Sequence, residues 1–255
     1  MDRRFLSDEQ IIKISRDFVC IRLATYEDKT EAVFLKETFL GQRGGDLRNF
    51  GYCILSPDGK KKLRRSDRGP NYVYADAKAM AADLRQVASQ YSGKTKENKS
   101  DRTVPRMKSV RLAVNVASCD GLPSVIVVGK NQIEVDLLNK KLNSVIWDEA
   151  LIGRFIYAST TNLDDLKIVS GAASKTGILV VEPDPFGMKG KLITAIKATA
   201  SNDDLKQSLA KAADDFTRNA KTHGTHVRDG RRSGTTWKTE VEVPTRRRGR
   251  TRPGQ

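Results

Sequence analysis

The first third of the chain alternates between stretches with helical spacing of apolar residues and short apolar runs closed by turn residues. Ser7 with Gln10 three positions on is a capping-box signal, and Ile11, Ile14 and Phe18 then follow at i, i+3 and i+7, which predicts a helix. Phe18 to Ala24, Phe-Val-Cys-Ile-Arg-Leu-Ala, reads as a buried strand. Gly51 to Gly59 reads as a second strand that closes in a Pro-Asp-Gly turn, with Lys60 to Arg65 as the return arm of a hairpin. A helix follows, carrying Ala77, Met80, Ala81, Leu84, Val87, Ala88 and Tyr91 on one face.

Ser92 to Arg102 has no periodic apolar residues and leads to Pro105, which marks a linker. Beyond it a similar order of elements recurs. Val110 to Ala117 and Ser124 to Val128 read as strands, and Asn131 to Leu142 has helical spacing in Ile133, Leu137, Leu138 and Leu142. Phe155 to Ser159 and Gly177 to Glu182 read as strands, Lys191 to Ala198 as the hairpin partner of the latter, and Asn202 as the cap of a closing helix with Leu205, Leu209, Ala212, Ala213 and Phe216. Short local matches make the halves look like copies of one unit. Asp8-Glu9-Gln10-Ile11-Ile12 before Phe18-Val19 resembles Asp148-Glu149-Ala150-Leu151-Ile152 before Phe155-Ile156, and the hairpin from Gly51 resembles that from Gly177. The expected organisation is a first domain over 1–92, a linker over 93–105, a second domain over 106–217 and a basic, largely disordered tail over 218–255.

Composition sharpens this outline. With 255 residues the chain can build two compact cores. No run approaches the roughly 18 consecutive apolar residues of a spanning helix, and the N-terminal residues lack the apolar stretch of a secretory signal. The net charge is +15, which favours acidic partners such as nucleic acid, anionic lipid or acidic protein. More than half of that excess lies in the tail, where eleven Lys and Arg from Arg218 onward face only Asp229, Glu240 and Glu242. Within the tail, Thr236 to Val243 alternates as a strand would. The three cysteines, Cys20, Cys53 and Cys119, stand far apart, so no local disulfide framework or Cys-x-x-Cys site can form.

A helix leading into a strand, a second helix, then a strand, a Ser-Pro-Asp-Gly-Lys hairpin at Ser56 to Lys60 and a closing helix resembles the thioredoxin-like fold. The resemblance spans about Met1 to Gln90 and Ser109 to Phe216. It implies two α/β domains, each a mixed sheet flanked by helices, the first lacking its N-terminal strand. The family's chemistry would require a Cys-x-x-Cys at the start of a helix, whose N-terminus lowers the attacking thiol's pKa. In the second half the corresponding place is Gly129-Lys130-Asn131-Gln132, and Phe50 and Thr176 stand where the family sets a cis-proline. In the first half, Met1 to Phe5 resembles the residues that follow the second cysteine. That comparison implies either a natural start upstream of Met1, with a strand and a Cys-x-x-Cys, or a sheet completed by another segment such as Thr236 to Val243, or by a partner.

Other candidate chemistry is weighed against simpler readings. Cys20 and Cys53 lie in apolar runs where a thiol packs as a small hydrophobe, while Cys119, in Ser118-Cys-Asp-Gly121, is expected to be accessible. His223 and His226 form a His-x-x-His with too few neighbouring ligands for zinc, and no other histidine is available as a general base. Asp58, Asp76 and Lys78 mimic the pattern of metal-dependent nucleases, but Asp58 belongs to a turn and Asp76 and Lys78 to a helix start. Gly41 to Asp46 has the glycines of an anion loop without a Gly-Lys-Ser/Thr. Two basic runs remain as polyanion-binding candidates: Lys60, Lys61 and Lys62, and Arg246, Arg247, Arg248, Arg250 and Arg252 in the tail.

The sequence therefore points to a non-catalytic binding or scaffold protein of thioredoxin-like build, with no cofactor, no metal and no catalytic residue. Two alternatives stay open: a thiol-disulfide oxidoreductase whose cysteines lie upstream of Met1, and a nucleic-acid-binding protein using its basic tail. Acidic protein or nucleic acid is the expected partner. The cytoplasm is the default location, and a signal peptide upstream would instead place the protein outside it.

Overall fold

The computed structural model describes residues 5–21, 23–40, 47, 51–91, 103–218, 222–237 and 239–242. The chain divides into two compact units, Met1–Glu97 with Lys238–Gln255, and Asn98–Trp237.

In the first unit, helix α1 (Glu9–Ser15) is capped by Asp8, whose carboxylate accepts from the amides of Gln10 and Ile11. Ser7 is therefore not the cap; a carboxylate at the N-terminus also suits the helix dipole. Helix α2 (Lys29–Leu35) is capped likewise by Asp28, and α3 (Ala77–Tyr91) is the longest element of the unit. The core joins α1 to α3: Phe5, Ile11 and Ile14 pack with Met80, Ala81, Leu84 and Val87, and Ile54 joins them from the hairpin. The predicted face of α3 is the buried one.

Among the described residues this unit forms no strand. None of the described residues between Phe18 and Ala24 is laddered, and Val19 and Ile21 stand 82% and 68% exposed, so the expected buried strand is corrected to a segment outside any sheet. An apolar run makes a strand only when a neighbour takes up its N–H and C=O groups. The hairpin is present in reduced form, as two isolated antiparallel bridges, Tyr52 with Asp67 and Leu55 with Lys62, around the turn at Pro57 to Gly59.

The second unit is α/β, with a mixed six-stranded sheet in the order β1-β3-β2-β5-β6-β4. The strands are β1 (Arg106–Met107), β2 (Ser124–Val128), β3 (Ile156–Thr160), β4 (Val169–Ser170), β5 (Gly177–Pro183) and β6 (Gly190–Ile196). β1, β3 and β2 run parallel, β5 is antiparallel to both β2 and β6, and β4 runs parallel to β6. Helix α5 (Gln132–Asn143) and α6 (Asn202–Asp214) cover one face, where Val125, Val127, Ile178 and Val180 meet Val135, Leu138, Leu142, Leu205 and Leu209. The other face, Ile126, Val128, Leu179 and Val181, packs on Val110 and Val114 of α4 (Val110–Asp120) and on Leu166 and Val169. Strands buried on both sides read as continuous apolar runs, and β2 and β5 do.

Three expectations for this unit change. Val110 to Ala117 is not a strand but the body of α4: Ser109 caps it, Gly121 ends it at φ 65°, and Val110, Ala113, Val114 and Ala117 turn inward at helical spacing. Its apolar residues also fall at every second position, so the caps decide between the two periods. The cap of α6 is Ser201 rather than Asn202, in a capping box with Asp204. Within the expected tail, helix α7 (His223–Arg232) follows a Thr222 cap. Thr236 to Val243 forms no strand among its described residues. No helix among the described residues is long and apolar enough to cross a membrane.

Candidate functional site

In an α/β sheet, chemistry collects at the carboxyl ends of the parallel strands, where loops and helix N-termini converge. Here that edge is made by the β2–α5 turn, the end of β3 and the start of β5, because Val128 pairs with Thr160 on one side and with Gly177 on the other. Thr176, the residue before β5, and Gly129 to Gln132 therefore stand at the same end of adjacent strands. A Cβ on Gly129 would lie 2.8 Å from the amide nitrogen of Val135, so only glycine lets β2 turn this sharply into α5. The Gly129 amide donates to the carbonyl of Thr160 at 3.2 Å, which fastens the turn to β3.

At the N-terminus of α5 the amide of Glu134 and that of Lys130, just before the cap, are taken up by side chains of the turn itself. Asn131 Oδ1 accepts from the Glu134 amide at 2.9 Å, and Glu134 Oε2 accepts from the Lys130 amide at 2.8 Å. A carboxylate thus stands beside the end of α5 where a helix N-terminus favours an anion or a thiolate. Beside it, Thr160 donates its hydroxyl to Asp165 at 2.6 Å and accepts from the Asn162 amide at 2.9 Å, closing the loop into the short 3-10 turn Leu163–Ile168. Among the described residues, none of the hydrogen bonds that shape this edge involves a cysteine or a histidine.

The cysteines are scattered. Cys20 is exposed, correcting its expected burial, although partial desolvation still raises its thiol pKa; Cys53 is half-buried, and burial raises its thiol also. Cys119 is exposed as expected, in the last turn of α4 rather than in a loop. Among the described residues no three His, Cys, Asp or Glu side chains are grouped to hold a metal ion. Asp58 accepts from the Ser56 hydroxyl and the Lys60 amide, which hold its carboxyl below the usual range, and Asp76 caps α3 through the Ala79 amide. Both are engaged in local turn and cap geometry. Gly41 to Asp46 lies outside the described residues.

The basic run at Lys60 splits by role. Lys60, Lys61 and Lys62 are exposed, and Lys62 Nζ donates to the Thr38 carbonyl at 3.0 Å. Arg64 turns inward onto Asp83, and Arg65 binds the Tyr72 carbonyl. Arg246, Arg247, Arg248, Arg250 and Arg252 lie outside the described residues. A second basic surface escaped the sequence reading: α7 carries Arg228, Arg231 and Arg232, all exposed. Its signals were Thr222 as a cap and arginines at i, i+3 and i+4, masked by two glycines that lower helix propensity.

Compared with family models, with curated proteins and with solved structures, the chain matches none of them.

Proposed function

We propose that the second unit is a thioredoxin-like domain that acts by binding, without a redox dithiol, and that the protein serves as a binding or scaffold module. The order α4, β2, α5, β3, a β5–β6 hairpin and a closing α6 supports this reading, as does the antiparallel entry of β5 beside β2. In the first unit the reading rests on α1, the reduced hairpin and α3 alone.

The observation that carries the proposal is the state of the α5 N-terminus. Gly129-Lys130-Asn131-Gln132 stands where the family's attacking cysteines would sit, and Glu134 takes up the Lys130 amide there. A thiolate placed at that turn would lie near the Glu134 carboxylate, whose charge disfavours it, and this supports a role without dithiol exchange. The test is reduction of insulin disulfides by dithiothreitol with and without the full chain. The expected result is one rate in both cases; an accelerated rate that disappears when Cys119 is replaced by Ser overturns the proposal.

A further inference from the structure

We propose that the open edge of β6 is a docking site for an extended acidic segment of another protein, which joins the sheet as one more strand. This inference stands apart from the thioredoxin-like reading, since it uses none of the residues at the α5 turn.

The sheet ends on β4, but β4 covers only the start of its neighbour. Val169 and Ser170 pair with Gly190 and Lys191, and the rest of β6 has no strand on that side among the described residues. Gly171 makes the break: at φ 80° it turns the chain off the edge beside Leu192, the Ala172 amide returns to the Val169 carbonyl at 3.2 Å, and Ala172 is buried in the core below the sheet. Ser170 Oγ reaches the Gly190 carbonyl, and no loop backbone group bonds to Leu192 through Ile196 among the described residues. A strand carries donors and acceptors along both sides, so β6, laddered to β5 on one side, presents open N–H and C=O groups on the other.

Such a row matches the backbone of another extended polypeptide, which is the basis of recognition by strand addition. The stretch itself, Leu192-Ile-Thr-Ala-Ile196, holds no charge and suits a strand, with Ile193 and Ala195 exposed. Charge enters only at its two ends, where Lys191 and Lys197 are exposed and neither forms an ion pair among the described residues. Pairing with β5 passes from Val181–Leu192 to Val180–Thr194, which leaves Ile193 as a bulge. Leu192 therefore packs on the α4 side of the sheet and Ile196 on the side of α5 and α6, so the lysines next to them point to opposite faces. An incoming strand meets both when it carries carboxylates an odd number of residues apart.

A bulge and terminal lysines also keep identical edges from pairing. Here that property selects the partner. A second copy laid along β6 would bring Lys191 and Lys197 of both strands to one seam, where like charges oppose, whereas an acidic strand turns the same lysines into cross-strand pairs. A nucleic acid would use the lysines and leave the backbone row unpaired.

The test is binding of fluorescein-labelled peptides to the full chain, followed by anisotropy at about 50 mM salt, where surface charge pairs are weakly screened. The probe Gly-Glu-Thr-Val-Thr-Val-Glu-Gly carries its two carboxylates at an odd spacing; a second probe has Lys for both Glu, and a third keeps both Glu but has Pro for the first Val. The Glu probe should bind and should slow hydrogen exchange in the fragment covering β6. The Pro probe, equal in charge but short of a backbone donor, should bind at least about tenfold more weakly. The variant K191E/K197E should weaken the Glu probe about tenfold and make the Lys probe the tighter ligand, while melting as the parent does. Should that variant not melt as the parent does, K197Q alone carries the charge arm, with an expected loss of about threefold. Equal affinity for the Glu and Pro probes overturns the proposal, as does a Glu probe that fails to bind at about 1 mM, the weak end of specific affinities, or one that binds without protecting β6. Protection of β6 that rises with protein concentration alone also overturns it and assigns the edge to a second copy of the chain.

Discussion

Asp83 is the residue whose replacement should most clearly expose how the first unit is held together. It sits on α3 and receives Arg64 Nε on both carboxylate oxygens at 2.8 Å, Arg64 Nη2 on Oδ1 at 2.6 Å, and the Tyr74 hydroxyl on Oδ2 at 2.7 Å. The two charged side chains are only 29% and 18% exposed, so water replaces the partner poorly when one is removed. Tyr52 stands edge-on to Tyr74 at 6.0 Å, and burial pushes the Tyr52 hydroxyl up to about 12. Asp83→Asn keeps the shape, removes the charge and turns one acceptor into a donor facing other donors. Hydrogen bonds to charged groups contribute about 1.5–3 kcal/mol, so the expected loss is about 2 kcal/mol. In a unit of roughly a hundred residues that lowers the melting temperature by about 8–16 °C. Both tryptophans, Trp147 and Trp237, belong to the second unit, so hydrogen exchange of peptides from α3 is the appropriate probe. The Arg64 guanidinium, followed by the Tyr74 hydroxyl, holds the Asp83 carboxyl below its usual range. A depressed folded value means the stabilisation is present above the unfolded carboxylate pKa of about 3.9 and is lost as pH falls through the lower folded value. The gap between parent and variant should therefore be full at pH 7 and close in acid below about 4. Equal protection of α3 in the two proteins at pH 7, or a gap that persists undiminished in acid, would refute the reasoning.

Two further substitutions probe the second unit. Gly129→Ala places a methyl group against the backbone of Val135, which cannot turn aside, and should cost about 1–3 kcal/mol, read as a lower urea midpoint of the Trp147 fluorescence transition; an unchanged midpoint would mean that the β2–α5 turn is looser than described. Ser159 donates to Asn139 Oδ1 at 3.1 Å, while Asn139 Nδ2 is buried without a partner among the described residues. Ser159→Ala should cost about 1 kcal/mol, and the double variant Asn139→Leu with Ser159→Ala should recover it by removing both polar groups; a double variant no more stable than Ser159→Ala would contradict this account.

The second unit was legible where one signal dominated. Val125 to Val128 and Ile178 to Val181 are apolar without interruption and rich in β-branched residues, the pattern of a short strand buried on both faces. The closing helix was legible through Leu205, Leu209 and Ala212, one face repeated over two turns. Val110 to Ala117 misled because Val110, Leu112, Val114 and Val116 alternate as a strand does, while the same stretch also places Val110, Ala113, Val114 and Ala117 on one helix face. All of these positions are buried in α4, so hydrophobic pattern could not separate the two readings; Ser109 and Gly121 could. In the first unit the failure has another source. The apolar content of Phe18 to Ala24 is a demand for burial, and whether the demand is met depends on a neighbouring strand that no local pattern specifies.

The candidate sites divide along the same physical line. That the α5 turn lacks cysteine is a fact of the sequence, but the contact of Glu134 with the Lys130 amide needed the structure, because a Glu three residues after an Asn cap can point to solvent as readily as back to that amide. Lys60 to Arg65 looked like one basic run; only the packing of α3 separates Arg64, spent on Asp83, from the three exposed lysines. α7 was hidden because Gly224 and Gly230 argue against a helix when counted by propensity alone. Their meaning becomes plain only in three dimensions, where Gly230 admits two aromatic rings and Gly224 leaves an open floor beneath the arginines. The features that weaken the local signal for this helix are the ones that dock one of its faces and open the other.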